Sequence, residues 1–237
     1  MTVEQSFHLE SVGQVHILRN TRSRRIRLRV KPDGQVQVSI PDRASEQKAI
    51  EFVRSKIAWI LKQQQDIKAG LTIFGPDNCF KTKFHQLKVV RVEHSKVSGM
   101  VGKGVVQINI PSNQNHQRPE IQQFIRKILV QVMRHEARVY LPARLRELAQ
   151  KNGFAVENIV VKHVKSRWGS CSSVNNINLN IHLMRLPEHL IDYVILHELA
   201  HTVEKNHGPG FWRLLEKISP GARKLDKELN QYHVDIY

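Results

Sequence analysis

His197-Glu198-Leu199-Ala200-His201, with Asn206-His207 close behind, decides how this chain is read. On an α-helix, residues four apart share a face, so the two histidines of the first run present their imidazoles to one point. Glu198 stands one residue on, about 100° round the helix. Its carboxylate reaches beside that point rather than into it. Three neutral nitrogens with one position left open are the ligand set of a catalytic zinc ion, and an acid placed beside the first ligand is a general base for water. His207 is the expected third ligand, because the five residues after His201 are enough chain to leave the helix and fold back. Glu216, on the next helical segment, is the competing ligand. The expected content is one Zn2+ per chain.

The surroundings suit this reading. From Glu188 to Lys205, Leu190, Val194, His197 and His201 fall on one stripe, with Ile191 and Ile195 beside it. Pro187 fits a helix start, where its missing N–H costs nothing. Asn206 and Gly208 tolerate the left-handed conformation that ends helices. Before the helix, Ile177, Leu179 and Ile181 alternate with Asn178, Asn180 and His182, the period of a half-buried strand. An edge strand at this place would pair with an extended peptide. The spacing of the histidines equals that of metzincins. However, Glu204 stands where that group has glycine, and no methionine follows Met184.

The chain has 237 residues, enough for one large or two modest domains, and a hydrophobic content of 41%, ordinary for a globular protein. Met1 to Glu10 is polar, unlike a secretory signal. No apolar run approaches the ~18 residues that would span a bilayer. Cys79 and Cys171 form no CxxC and no disulfide framework, which fits a reducing compartment and a cytoplasmic location. The net charge of +16 divides into +10 over residues 1–115 and +6 over residues 116–237. Such a balance attracts polyanions, so nucleic acid is a possible partner through the basic surface. Arg22, Arg24, Arg25, Arg27 and Arg29 are the sharpest basic cluster. Without interleaved aromatics they read first as a solvated strand face that discourages edge pairing.

Along the chain, Phe7 to Leu9, Val15 to Leu18, Ile26 to Val30 and Val36 to Ile40 are expected strands, with a turn at Pro32-Asp33-Gly34. A helix is expected from Ser45 to about Ala69, with Gly70 as its stop and Ile50, Val53, Ile57, Ile60 and Leu61 as its apolar face. Trp59 is read as core. Leu87 to Val92 and Val105 to Ile110 return to strand. Pro111 to Pro119 is the expected linker. Glu120 to about Asn152 is helical, with a kink or break at Pro142 and a stop at Gly153. Ile159 to Val164 is an expected strand. Two more helices are expected at about 210–218 and 222–232. These elements give an α+β chain: a β-rich N-terminal region with one helix over residues 1–115, then a catalytic domain over residues 116–237.

Ser166-Arg167-Trp168-Gly169-Ser170-Cys171, Ile177-Asn178-Leu179-Asn180, the run from Ile191 to His201, Asn206-His207 and Phe211-Trp212 together resemble the YgjP-like metallopeptidase domain. That family is related to the WLM and SprT-like zincins. In the N-terminal half, Arg22-Ser23-Arg24-Arg25 and Trp59-Ile60 fit its opening. Gly208 departs from the pattern, where a serine is expected after the third histidine. The resemblance implies a zincin-like fold, a catalytic zinc ion and peptidase activity on protein or peptide substrates, without naming the substrate.

The expected chemistry is hydrolysis of an amide by water that Glu198 deprotonates, with zinc on His197, His201 and His207. Tyr193, Arg167, Tyr232 and His233 are candidates to stabilise the developing oxyanion. His182 is a candidate to line the substrate cleft. Each also has a structural reading: Tyr193 as core, Arg167 as a residue that holds the strand or stacks on Trp168, His163 and His182 as strand residues at surface or satisfied positions, and Trp212 as packing beneath the motif helix. Cys171 lacks an activating neighbour in sequence and reads as a small buried residue. A basic, nucleic-acid-associated binding protein with a structural or vestigial zinc site is the alternative function. A zinc hydrolase acting on a non-peptide amide is a third. Glu198 argues for the enzyme, since a structural site has no use for an acid beside its first ligand.

Overall fold

The first seventy residues fold around a single mixed sheet. The computed structural model describes residues 4–21, 23–31, 34–70, 72–77, 79–93 and 95–234, and of residues 4 and 66–70 the backbone alone. The described chain forms two compact units that divide between Thr72 and Ile73.

In the first unit, β1 (Glu4–Leu9), β2 (Gly13–Arg19), β3 (Arg27–Val30) and β4 (Val36–Ile40) lie in the order β1-β2-β4-β3. β2 and β4 run parallel, pairing Val15 with Val36 and Ile17 with Val38. All four of these side chains are buried. Each fully buried aliphatic side chain is worth roughly 1.5–3 kcal/mol relative to exposure. Arg27 and Arg29 alternate outward on the edge strand β3, as the period-two pattern requires. Arg22 lies outside the described residues, as do Pro32 and Asp33 of the expected turn. Gly34, with φ of 83°, closes that turn in a conformation glycine adopts freely.

The expected single helix is two. Ser45 caps α1 (Glu46–Ser55), its hydroxyl accepting from the Lys48 N–H. The chain steps out of helix at Lys56 and resumes as α2 (Ile57–Gly70). This step turns Trp59 and Leu61 outward, at 44% and 41% exposure, so neither joins the core that Val53 and Ile60 enter.

The second unit begins well before the boundary expected after residue 115. β5 (Gln86–Val92), β6 (Ser98–Gly102) and β7 (Val105–Pro111) form a sheet in the order β5-β7-β6. Leu87, Val89, Val106 and Ile108 of this sheet share one hydrophobic cluster with α3 (Pro119–Asn152), which is why these strands belong with the C-terminal elements. The segment expected as a linker is likewise tied down. Gln122 donates to the carbonyls of Phe74 and His116, at 2.7 Å each. α3 continues through Pro142 without a break, its inner face held by buried Ala137, Leu141 and Leu145. Gly153, at φ 73°, ends it, and the Phe154 N–H reaches back to the Ala149 carbonyl.

The third sheet combines β8 (Asn158–Lys162), β9 (Gly169–Cys171) and β10 (Asn176–Asn180) in the order β8-β10-β9. β8 runs parallel to β10, and β9 antiparallel to it. β10 is therefore the central strand, not the edge expected from its alternation. A 3-10 helix, Ile181–Arg185, follows, then α4 (Glu188–Ala200), α5 (Pro209–Ile218) and α6 (Ala222–Leu229). α4 is buried on nearly every side, from Leu190 to Ala200, as a helix at the centre of a core must be. None of the described helices is long and apolar enough to cross a membrane.

Candidate metal centre and catalytic acid

His197 lies in the last turn of α4 and His201 caps its end, so helix periodicity alone brings their rings together, centroids 5.0 Å apart. His207 arrives from the loop before α5. Its Nε2 lies 3.0 Å from His197 Nε2 and 3.1 Å from His201 Nε2. The three ligand atoms form the metal-competent group among the described residues. A neutral imidazole nitrogen carries at most one hydrogen, so His207 cannot satisfy both neighbours. Three ring nitrogens converging in this way could hold a cation. Ligands about 2.0–2.1 Å from zinc in tetrahedral geometry stand about 3.3–3.4 Å apart, close to the observed spacing.

Two features orient the trio. His201 donates through Nδ1 to the Glu204 carbonyl at 2.9 Å, which leaves Nε2 with its lone pair toward the site. Phe211, fully buried on α5, packs against all three rings at 4.5–4.9 Å. Trp212, expected in that place, is half-buried and instead meets Arg223 at 4.4 Å. Burial, reinforced by the other two histidines, pushes His197 down to about 3, so this ring is neutral and available as a ligand.

The route from His201 to His207 differs from expectation. Regular helix ends at Ala200, and the chain turns through Thr202 and Val203, whose N–H groups reach the carbonyls of Leu199 and Ala200. Neither Asn206 nor Gly208 adopts the left-handed region; Gly208 is extended. The turn is made earlier, by ordinary backbone. Glu216, the competing ligand, is employed elsewhere: its two carboxylate oxygens accept from the N–H groups of Gly221 and Ala222 at the start of α6.

Glu198 faces the other way, against β9. It is 6% exposed, and its Oε2 is buried without a hydrogen-bond partner among the described residues. Gly169 makes this close fit possible, because a Cβ there would stand 2.6 Å from Glu198 Oε1. Burial pushes the Glu198 carboxyl up to about 8, against a smaller opposing pull from Arg167. The sequence names Gly169 within a motif but not this role; a residue without a side chain inside the run from Ser166 to Cys171 is its one signal.

The remaining expected site residues separate. Arg167 is exposed, near enough to act on Glu198 electrostatically. The cation beside the Trp168 ring is Arg185, at 5.9 Å, rather than Arg167. Tyr193 is buried and its hydroxyl donates to Asp226 at 3.2 Å, which makes it a core tether between α4 and α6. His182 lies on the 3-10 helix rather than on a strand. It is fully buried, so it does not line a cleft. His163 follows the end of β8, its ring 5.1 Å from that of His182. Tyr232 and His233 follow α6, and the His233 carbonyl accepts from Arg185. Cys171 is half-buried, and burial raises its thiol pKa, the reverse of activation. Asn180, read as an outward strand residue, is a buried clasp. Its side-chain amide donates to the carbonyls of Val164 and Arg167, and its Oδ1 accepts from the His182 N–H.

A family model described as the YgjP-like metallopeptidase domain matches residues 24–232. No curated protein matches the sequence. Among solved structures, the chain is similar to the metallopeptidase zymogen of Pyrococcus abyssi abylysin, at 25% identity over 38% of this chain and 92% of that one, with a TM-score of 0.34. It is also similar to the zymogen of Methanocaldococcus jannaschii jannalysin, at 26% identity over 38% and 93%, with a TM-score of 0.35.

Proposed function

The chain belongs to the YgjP-like metallopeptidase family, and from that premise we propose that it hydrolyses peptide bonds within protein substrates, using one zinc ion held by His197, His201 and His207 and Glu198 as the general base. The observation that carries this reading is the pairing of a convergent three-nitrogen donor set with a buried, unpartnered carboxylate one residue along the same helix. Zinc, when bound, supplies a Lewis acid for the scissile carbonyl and makes water acidic near neutral pH.

The other roles fall to the chain itself. Glu198 takes a proton from water at Oε2 and passes it to the leaving amine nitrogen. Its burial beside Gly169 keeps bulk water from competing for that oxygen. The edge of β9 can receive an extended peptide through backbone hydrogen bonds, which aligns the peptide across α4. Arg167 is the substrate contact; Tyr193 and His182 support the framework.

The deciding experiment joins metal analysis to hydrolysis. Protein purified without added metal is expected to hold about one zinc per chain. His207→Ala loses most of it. Glu198→Gln keeps the metal but no longer cleaves an unstructured protein such as casein. Normal cleavage by Glu198→Gln would sink the base assignment, and a parent that stays metal-free after zinc reconstitution would sink the zinc site.

A further inference from the structure

From Asn158 to Pro187 the sequence has no acidic residue, while it carries Lys162, Lys165, Arg167 and Arg185. This stretch is the sheet and loop that stand over the motif helix. A pocket of about 210 Å³ lies on it, lined among others by Lys162, Arg167, Gly169, Ser170 and Asn178. Lys162 pairs with Asn180, and Ser170 with Asn178, so these side chains share the sheet face opposite buried Ile177 and Leu179. The Asn178 amide is already spent on Ser170 Oγ, at 3.1 Å. The side chains of Lys162 and Arg167 make no hydrogen bond or ion pair with any described residue, apart from the pull of Arg167 on Glu198. No carboxylate lines the pocket. Two side-chain cations with the Ser170 hydroxyl between them make a receptor for an anion.

The place of this pocket sets which anion. Gly169 lines it and also abuts Glu198, so the thickness of β9 alone separates the pocket from the catalytic acid. β9 is an edge strand of its sheet. A peptide added to that edge presents successive side chains to opposite faces. If one points toward Glu198 and the histidines, its neighbour points to the face of Lys162 and Arg167. We propose that Lys162 and Arg167 form an acid-reading subsite, and that the preferred substrates carry Asp or Glu beside the scissile bond on the outward-facing side. This inference rests on the peptidase reading for its register, and its test is separable from that reading.

The probes are internally quenched peptides that differ only in Glu against Gln, scanned along the positions flanking the scissile bond. The zinc-loaded parent gives kcat/KM, and fluorescence anisotropy on Glu198→Gln gives binding without turnover. At one position, Glu is expected to be favoured about tenfold at low salt, the preference shrinking as ionic strength rises. Lys162→Ala and Arg167→Ala each lower that ratio several-fold, and Arg167→Glu shifts it toward a Lys-bearing peptide. Equal cleavage of the Glu and Gln peptides at every position overturns the subsite and leaves the peptidase standing. A Glu preference in binding that depends on Arg167, with no cleavage of any peptide, overturns the peptidase and keeps the subsite. Tight binding of a short single-stranded DNA, with no discrimination between the two peptides, overturns it in favour of a nucleic-acid surface.

Discussion

Gly169 and Glu198 are in direct steric register: a methyl group on residue 169 would stand 2.6 Å from Glu198 Oε1 and 2.8 Å from its Cγ. The backbone of Gly169 is ordinary strand, so alanine is excluded there by the carboxylate alone. Gly169→Ala must push Glu198 off its position while leaving the three histidines in place. The expected result is retained zinc with hydrolysis reduced on the order of 10–100-fold, since a displacement near 1 Å at a catalytic group costs about that much. Parallel metal analysis and kinetics check it; a variant with parental kcat would show that the position of Glu198 is not limiting.

Phe211 touches all three metal-site rings. Phe211→Leu keeps an apolar side chain but withdraws part of this floor. Zinc affinity is expected to fall about tenfold or more, in line with the loss of groups that orient ligands. Competition with a fluorescent chelator measures it. Unchanged affinity would mean that helix geometry and the Glu204 carbonyl suffice to hold the rings.

Arg144 on α3 donates twice to Asp192 on α4, at 2.8 and 2.6 Å, fastening the motif helix to the longest helix of the fold. Both side chains are 22% exposed. Asp192→Ala leaves the part-buried guanidinium with Glu147 of its own helix as its remaining ion-pair partner and is expected to cost about 1–3 kcal/mol. A urea melt would show this as a lowered midpoint; an unshifted midpoint would place the fastening wholly in the apolar contacts.

His182 makes stability depend on pH. Burial above all, then Arg185, His163 and Lys165, pushes it down to about 3. The unfolded chain takes up a proton near 6.5 that the folded chain refuses. Its contribution is intact above that value and is lost as pH falls from 6.5 toward 3, at no more than about 1.4 kcal/mol per pH unit. In metal-free protein, His182→Phe is expected to flatten this decline relative to the parent. An equal slope in both would assign the effect to other groups.

The convergence of the three histidines was legible in sequence because they lie within a few residues of one another and follow helix arithmetic. His197 and His201 needed only a period, and His207 only a short loop. What surrounds them was less legible, because it depends on partners distant in the chain. The central place of β10 is fixed by its pairing with β8 and β9, not by its own alternation. Asn180 looked like an outward strand residue until the loop at Val164–Arg167 folded over it. The strand at Ser98–Gly102 went unread because it is exposed throughout and short of apolar residues. In the first unit, the step at Lys56 carries no proline or glycine, so one helix was expected where there are two. Tyr193 and Trp59 were both read as possible core aromatics, and only Tyr193 is buried: aromatic character does not set exposure without knowledge of what packs there.

Two hydrophobic clusters fill the described chain, and they have no residue in common. The three histidines and the seat of Glu198 draw on the cluster formed after Thr72. A core-truncating substitution in one cluster, such as Val38→Ala or Leu141→Ala, therefore removes packing from its own unit alone.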